Sequence, residues 1–539
     1  MFLRGKELIM PQNPILTGFH PDPTICRVGD DYYLATSTFQ WFPGVELYHS
    51  RDLVHWELLP SPLQRVSQLD MKGNPNSGGV WAPCLSYHEG VFYLIYTNVK
   101  NFHGIYKDTH NYLVTTTDPR GAWSEPVYLH SVGFDPSLFH DDDGRAWLVS
   151  MRWDARYGKH PFAGILIQEY SYTQKKLLGK PHILYEGTDI GVTEAPHLYK
   201  ANGYYYLMVA EGGTSYNHGV RMARSKTLLG TYETDPQPVL TTRDAPEYPL
   251  QRAGHGCLVD TPDGDMYIAF LCARPLTVNK DRRSILGRET GIAPVVWDKD
   301  GWLRLKDGGT LPPLTYQSTL TPWIPPQTDD TFDTPTLPAC YKTLRIPMTE
   351  RLGSLTARAG CLRLYGREAI TSWHEQSLVA RRLQHIKAEV TVKMAFAPTS
   401  FQHMAGLVLM YDTYNFFYLH VTGNDEGGAE LHLIYRQNMT FHHPLGGEGI
   451  AVDASKPIWL RVKVDHGRLL FSYATDGENY HPVGDWLDGS YLADEAYRLM
   501  EHEGHTGTMV GMACQDLSGG QDGEVCFADF YAMSYVSDL

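Results

Sequence analysis

The sequence predicts an all-β protein in two parts, a five-bladed β-propeller followed by a β-sandwich. Three observations carry this reading. A strand–turn–strand pattern returns five times between about residue 14 and residue 310, at a period of roughly 53 to 60 residues, enough for a four-stranded blade. Helical periodicity is nearly absent. Beyond a Pro- and Thr-rich stretch the repeat gives way to about ten further strand-like runs separated by turn signals, as a two-sheet sandwich requires. The expected divisions are a propeller over 1–310, a linker over 311–330 and a sandwich over 331–539.

Each repeat opens with a short apolar strand, preceded by proline in four of the five copies, and continues through a tight turn into an aromatic strand. Asp22-Pro23-Thr24-Ile25 leads to Tyr32-Tyr33-Leu34, Ala82-Pro83-Cys84-Leu85 to Phe92-Tyr93-Leu94, and Asp135-Pro136-Ser137-Leu138 to Trp147-Leu148-Val149. Ala195-Pro196-His197-Leu198 leads to Tyr204-Tyr205-Tyr206-Leu207, and His255-Gly256-Cys257-Leu258 to Tyr267-Ile268-Ala269. The intervening dipeptides, such as Asp143-Gly144 and Asn202-Gly203, suit hairpin turns because Asn, Asp and Gly tolerate positive φ. Innermost strands of a propeller line its channel, so the residues that start each repeat should face one axis. The linker, with Pro312-Pro313 and Pro325-Pro326, favours an extended connection. Runs such as Ala388–Val392, Leu407–Tyr411 and Trp459–Val464 then supply the sandwich strands.

Composition narrows the partners. The chain has 539 residues, 42% hydrophobic and 20% charged, with a formal net charge of −15. That balance argues against nucleic acid or an anionic membrane surface and suits a neutral ligand. Aromatic residues reach 12%, which fits sugar-stacking surfaces and β-rich cores equally. No run approaches the ~20 apolar residues of a membrane-spanning helix. Met1 to Pro11 lacks the apolar core of a secretory leader, and the eight cysteines form no C-x-x-C pair. A cytoplasmic protein with buried free thiols is expected, with neither a zinc site nor a disulfide framework. His502-Glu503-Gly504-His505 lacks the spacing of a helical zinc motif, and no acidic loop resembles a calcium-binding EF-hand. The sequence is compatible with a homo-oligomer and with a structural calcium on the axis or in the sandwich.

Three carboxylates stand near the starts of repeats. Asp22 and Asp135 directly precede a proline, and Glu194 lies one position further back. Hydrolysis of an acetal needs a proton donor for the leaving oxygen and either a base for water or a carboxylate nucleophile. An acid beside proline is also ordinary turn chemistry, but three at nearly one phase of a five-fold repeat point to a shared pocket. Carboxylates so placed repel unless protonated, paired or solvated, so an apolar and cationic surround is expected. Trp81, one residue before its repeat, stacks on a sugar or packs in the core. Phe39 and Trp41 admit the same two readings. Arg288, between glycines, either bonds sugar hydroxyls and lowers a carboxylate pKa or sits at the surface beside Glu289. His255 holds the fifth inward position, where it orients a carboxylate, holds a water or cation, or packs.

These residues, with Trp41-Phe42-Pro43-Gly44-Val45, Asp70–Asn74, Ala210–Ser215 and Gly353–Arg358, resemble glycoside hydrolase family 43, especially its two-domain β-xylosidases. The resemblance spans nearly the whole chain. It implies a five-bladed propeller joined to a concanavalin-like sandwich, and an inverting single displacement. Asp22 matches the general base, Glu194 the general acid, and Asp135 the third carboxylate that tunes the acid. Trp81, Phe39, Thr214 and Arg288 match positions around the terminal sugar. An inverting pair implies carboxyl groups about 6.5–9.5 Å apart. Relatives often carry Phe-Thr-Gly where this chain has His505-Thr506-Gly507, so His505 is expected to cap the pocket with a polar ring.

The function so implied is an exo-acting, inverting β-xylosidase that removes xylose from the non-reducing end of short xylo-oligosaccharides and requires no cofactor. An α-L-arabinofuranosidase, or an enzyme with both activities, is the nearest alternative. A sugar-binding propeller without catalysis is the reading from another class, and three convergent carboxylates speak against it.

Overall fold

A computed structural model describes residues 11–318, 320–321, 331–499, 504–520 and 525–537. Within these, the only helical segment is the 3-10 turn Asp494–Leu499. Residues 1–10, which carry most of the N-terminal stretch read above, and residues 319 and 322–330 of the expected linker lie outside the described residues.

The five repeats become five blades. Blade I pairs Thr24–Val28, Asp31–Thr36, Glu46–Ser50 and Glu57–Leu59 in that order, every neighbour antiparallel. Blade II runs from Gly79–His88 to Val127–His130, blade III from Ser137–His140 to Lys176–Tyr185, blade IV from Glu194–Ala201 to Glu233–Thr234, and blade V from Gln251–Asp260 to Leu303–Leu305. The hairpin dipeptides do what their chemistry allows: Glu89 and Gly90 have φ of 47° and 84°, Asn202 and Gly203 of 50° and 72°, the paired positive values of a type I′ turn that follows strand twist. Inner strands of successive blades touch, and that of blade V touches that of blade I, which closes the ring. The entering chain helps to seal it. Leu16 bridges Thr290 of blade V, and the Asn13 side chain donates to Ile292 O at 2.7 Å and accepts from Ile292 N at 2.9 Å.

Each inner strand is turned at one phase. Asp22, Ala82, Asp135, Ala195 and His255 are all left-handed, with φ of 56°, 21°, 52°, 49° and 45°. The register slips beside this residue in blades II, IV and V. A β-branched or bulky residue would be strained there. The result re-aims the side chains at and just before this residue toward the channel mouth, the usual effect of a bulge.

The second domain is a two-sheet sandwich of a nine-stranded and an eight-stranded sheet. The nine-stranded sheet borrows its edge from the propeller: Trp41–Phe42 pairs antiparallel with Lys342–Leu344. Trp41 is therefore no pocket wall; it is fully buried between the domains. Beside this strand lies a buried charge cluster. Glu46 of blade I accepts from Arg382 Nη1 at 2.6 Å and from Tyr48 Oη at 2.6 Å, and pairs with Lys342 Nζ at 3.0 Å. Burial opposes its ionisation, but Arg382 and Lys342 hold the Glu46 carboxyl well below the ordinary range.

Removing one partner of a buried pair strands the others without solvent. Glu46→Gln is therefore expected to cost about 3–5 kcal/mol, read as a lower urea midpoint. An unchanged midpoint would mean that the cluster does not hold the domains together.

Candidate active site

The left-handed turns bring the predicted side chains to one cavity of about 430 Å³ at the channel mouth. Asp22, Asp135, Glu194, Trp81, Phe39, Thr214, Arg288, His255 and His505 all line it. Gly504, His505, Asp494 and Glu495 form the wall contributed by the sandwich. Of the His502–His505 run, His502 and Glu503 lie outside the described residues.

Asp22 is buried and multiply held. Oδ1 accepts from Arg288 Nη1 at 2.9 Å, Oδ2 from Ser37 Oγ at 2.6 Å, and His255 Nδ1 lies 3.6 Å from Oδ1. Burial disfavours the carboxylate, but Arg288, His255 and the Ser37 hydroxyl outweigh it and keep the carboxyl below its ordinary value. This is an acceptor poised to stay ionised. Asp135 is pushed the other way. Burial first, then the charge of Asp22, lift it well above the carboxylate range, against the Ala195 N–H and Arg288. The two carboxylates are thus driven toward different protonation states, the outcome expected when like charges meet. Glu194 starts the inner strand of blade IV and is half-buried at the cavity wall.

Arg288 is the cationic hub. Besides Asp22 it donates from Nη1 to Thr214 Oγ1 at 3.1 Å and from Nη2 to His505 O at 2.9 Å, and its guanidinium lies 5.3 Å from the Phe39 ring centre. It is no surface charge: neighbouring Glu289 is engaged by Arg274 instead, at 2.7 and 2.8 Å. The approach of the sandwich depends on glycine. Gly287 has φ of 77°, and a Cβ there would stand 2.7 Å from Thr506 O; a Cβ on Gly507 would stand 2.6 Å from Leu286 O. That contact seats His505 among rings. Its centroid lies 5.7 Å from Trp81, 6.2 Å from Phe39 and 6.0 Å from Phe102. Trp81 is fixed by its Nε1–H, which donates to Ser77 O at 2.8 Å.

Sequence reasoning missed several wall residues. Phe134 stands edge-on to Trp81 at 5.4 Å. It occupies the place before the left-handed residue, as Trp81 and Glu194 do, and that phase was the available signal. Lys107, whose Nζ lies 4.5 Å from the Trp153 ring centre, comes from a loop, and Phe162 opens the third strand of blade III; neither sits at the repeat phase. His218 is buried at the cavity, and burial followed by the nearby His255 pushes its pKa down to about 3. Among the described residues no group of three or more His, Cys, Asp or Glu side chains is arranged to hold a metal ion. Nor is any helix there long and apolar enough to cross a membrane.

The family model described as glycosyl hydrolases family 43 matches residues 11–303, and that of the β-xylosidase C-terminal concanavalin A-like domain matches residues 329–533. A β-xylosidase of Bacillus subtilis (strain 168) is 47% identical over 94% of this chain and 96% of its own. A xylosidase/arabinosidase 43B of Humicola insolens is 46% identical over 95% and 96%. The crystal structure of xylan β-1,4-xylosidase from Bacillus halodurans C-125 superposes with a TM-score of 0.93 at 52% identity, covering 98% of this chain and 100% of that one.

The raised Asp135 has a sign that can be checked. A carboxyl whose folded value is raised holds its proton more tightly in the folded chain. The stability it contributes is complete below its unfolded value near ~3.9 and is lost as pH rises toward the folded value. Asp135→Asn is therefore expected to gain thermal stability relative to the parent at pH 8, and less at pH 4, on the order of 1–2 °C per kcal/mol released for a protein of this size. A variant less stable than the parent at pH 8 would contradict a proton-retaining Asp135.

Proposed function

The chain belongs to glycosyl hydrolase family 43, and from that membership we propose that it is an exo-acting, inverting β-xylosidase that releases xylose from the non-reducing end of short xylo-oligosaccharides. Asp22 acts as general base, taking a proton from the water that attacks the anomeric carbon. Glu194 acts as general acid, protonating the glycosidic oxygen as that bond breaks. Asp135 orients the site and tunes Glu194 through the backbone that joins Ala195 to it. The observation that carries this reading is the convergence of Asp22, Asp135 and Glu194 on one cavity, with Asp22 bonded to Arg288 and Ser37. A lectin has no use for a carboxylate kept charged at such desolvation cost.

Trp81 and Phe39 offer apolar faces to a pyranose ring, and Arg288 offers donors to its hydroxyls; its buried Nε has no hydrogen-bond partner among the described residues. The wall supplied by the sandwich supports exo action on short chains, because it closes a side that a long polymer would need open. The scheme requires no cofactor. A cytoplasmic site of action is supported by the buried, unbridged thiols of Cys84, Cys257, Cys272, Cys361, Cys514 and Cys526.

Proton NMR of xylobiose hydrolysis should show α-xylose as the first anomer from the cleaved sugar; β-xylose first would overturn inversion. Nitrophenyl β-xyloside should be cleaved faster than nitrophenyl α-L-arabinofuranoside, and cleavage of neither would overturn the substrate class. Asp22→Ala should lower kcat by about 10²–10⁴ with either aglycone. Glu194→Ala should do so with xylobiose and much less with nitrophenyl xyloside, whose leaving group needs no proton.

A further inference from the structure

Arg288 touches the general base, yet two of its three anchors, Thr214 Oγ1 and His505 O, sit on loops that need holding in place. The hydrogen bonds that hold them form a closed circuit through both domains. Thr214 O accepts from Arg252 Nη2 at 2.7 Å, and the same nitrogen donates to Asp494 Oδ2 at 2.8 Å. Asp494 Oδ1 accepts from Tyr411 Oη at 2.6 Å, and Tyr411 Oη accepts from Thr506 N at 3.1 Å. Thr506 follows His505, whose carbonyl returns the circuit to Arg288. Arg252 is only 4% exposed and Asp494 7%, so this charge pair is sheltered from the screening that makes surface pairs weak. Arg252 is itself left-handed, with φ of 57°, a conformation that surrounding structure must enforce. Glu495 anchors the same 3-10 turn to blade V, accepting from Ser284 N at 2.9 Å and from Ser284 Oγ at 2.8 Å.

We propose that Arg252 and Asp494 are positioning residues for the general base: together with Tyr411 they fix Thr214 and His505, and thereby hold Arg288 on Asp22. The sandwich is then part of the base's electrostatics as well as a wall. This rests on the assignment of Asp22 as base. The charged and titratable groups facing Asp22 are Arg288, His255, His505 and Asp135, and of these Arg288 and His505 are tied into the circuit. Loosening it weakens the strongest opposition to burial of the Asp22 charge.

Asp494→Asn and Tyr411→Phe test this with little change of volume. Both are expected to lower kcat/KM by about tenfold to a hundredfold, the scale of a sub-ångström to ångström misplacement, mainly through kcat. They should also move the acidic limb of the kcat/KM–pH profile upward, because Asp22 then needs a higher pH to ionise. Hydrogen exchange in peptides covering 212–217 and 504–511, which needs no substrate, should quicken in both variants. If one variant does not fold, as judged by thermal unfolding, the other decides. Unchanged exchange in these peptides overturns the proposal. So does an acidic limb and a kcat/KM within twofold of the parent. A parent that cleaves no xyloside would overturn the functional reading instead, and the exchange measurement would then decide the circuit alone.

Discussion

Charge out of water is the constraint from which the site follows. A carboxylate can stay ionised in a buried pocket only where an opposite charge and donors replace its hydration. Asp22 has Arg288, Ser37 and His255 for that purpose. Asp135 has little beyond a backbone N–H, and it tends to keep its proton. The chemistry proposed for the pocket needs this asymmetry, since three equally ionised carboxylates could provide no division of labour. Arg288 is accordingly held from both domains, by Asp22 and Thr214 on one side and His505 O on the other.

The propeller supplies the complementary constraint of direction. Five left-handed residues at one phase tilt the inner strands so that side chains distant in sequence face a single cavity. Asp22 and Asp135 occupy the turned position itself, whereas Trp81, Phe134 and Glu194 occupy the one before. The pocket is thus built from two adjacent positions of one repeat, the turned one supplying Asp22, Asp135 and His255 and the one before it Trp81, Phe134 and Glu194. In blades II, IV and V a register slip beside the turned residue helps both positions look inward.

What was legible in the sequence was what is local. The blades could be read because proline and Asn-, Asp- or Glu-Gly pairs act over two or three residues, and the acids could be read because they share a phase with those signals. Trp41 was ambiguous for a physical reason: a buried Trp in a strand looks the same whether it faces a sugar or a second domain. Phe134 was hidden because an apolar residue before a strand reads as core. Arg252, Asp494 and Glu495 carried no signal at all, since Arg252 and Asp494 meet across 242 residues of chain and only docking of the domains joins them. Thr214 and His505 were reached through the family resemblance, because nothing in their neighbourhoods marks them as lining a pocket.

The borrowed strand and its neighbouring carboxylate have a consequence for the nascent chain. Blade I emerges from the ribosome well before its partners: Arg382 follows Glu46 by 336 residues, which translation takes tens of seconds to deliver at ~5–20 residues per second. For that interval Trp41 and Phe42 present an uncovered apolar edge of the kind that recruits other strands, and Glu46 has no counterion to justify its burial. The pace of elongation, more than diffusion of finished domains, then sets how long a half-built enzyme must be shielded from its neighbours.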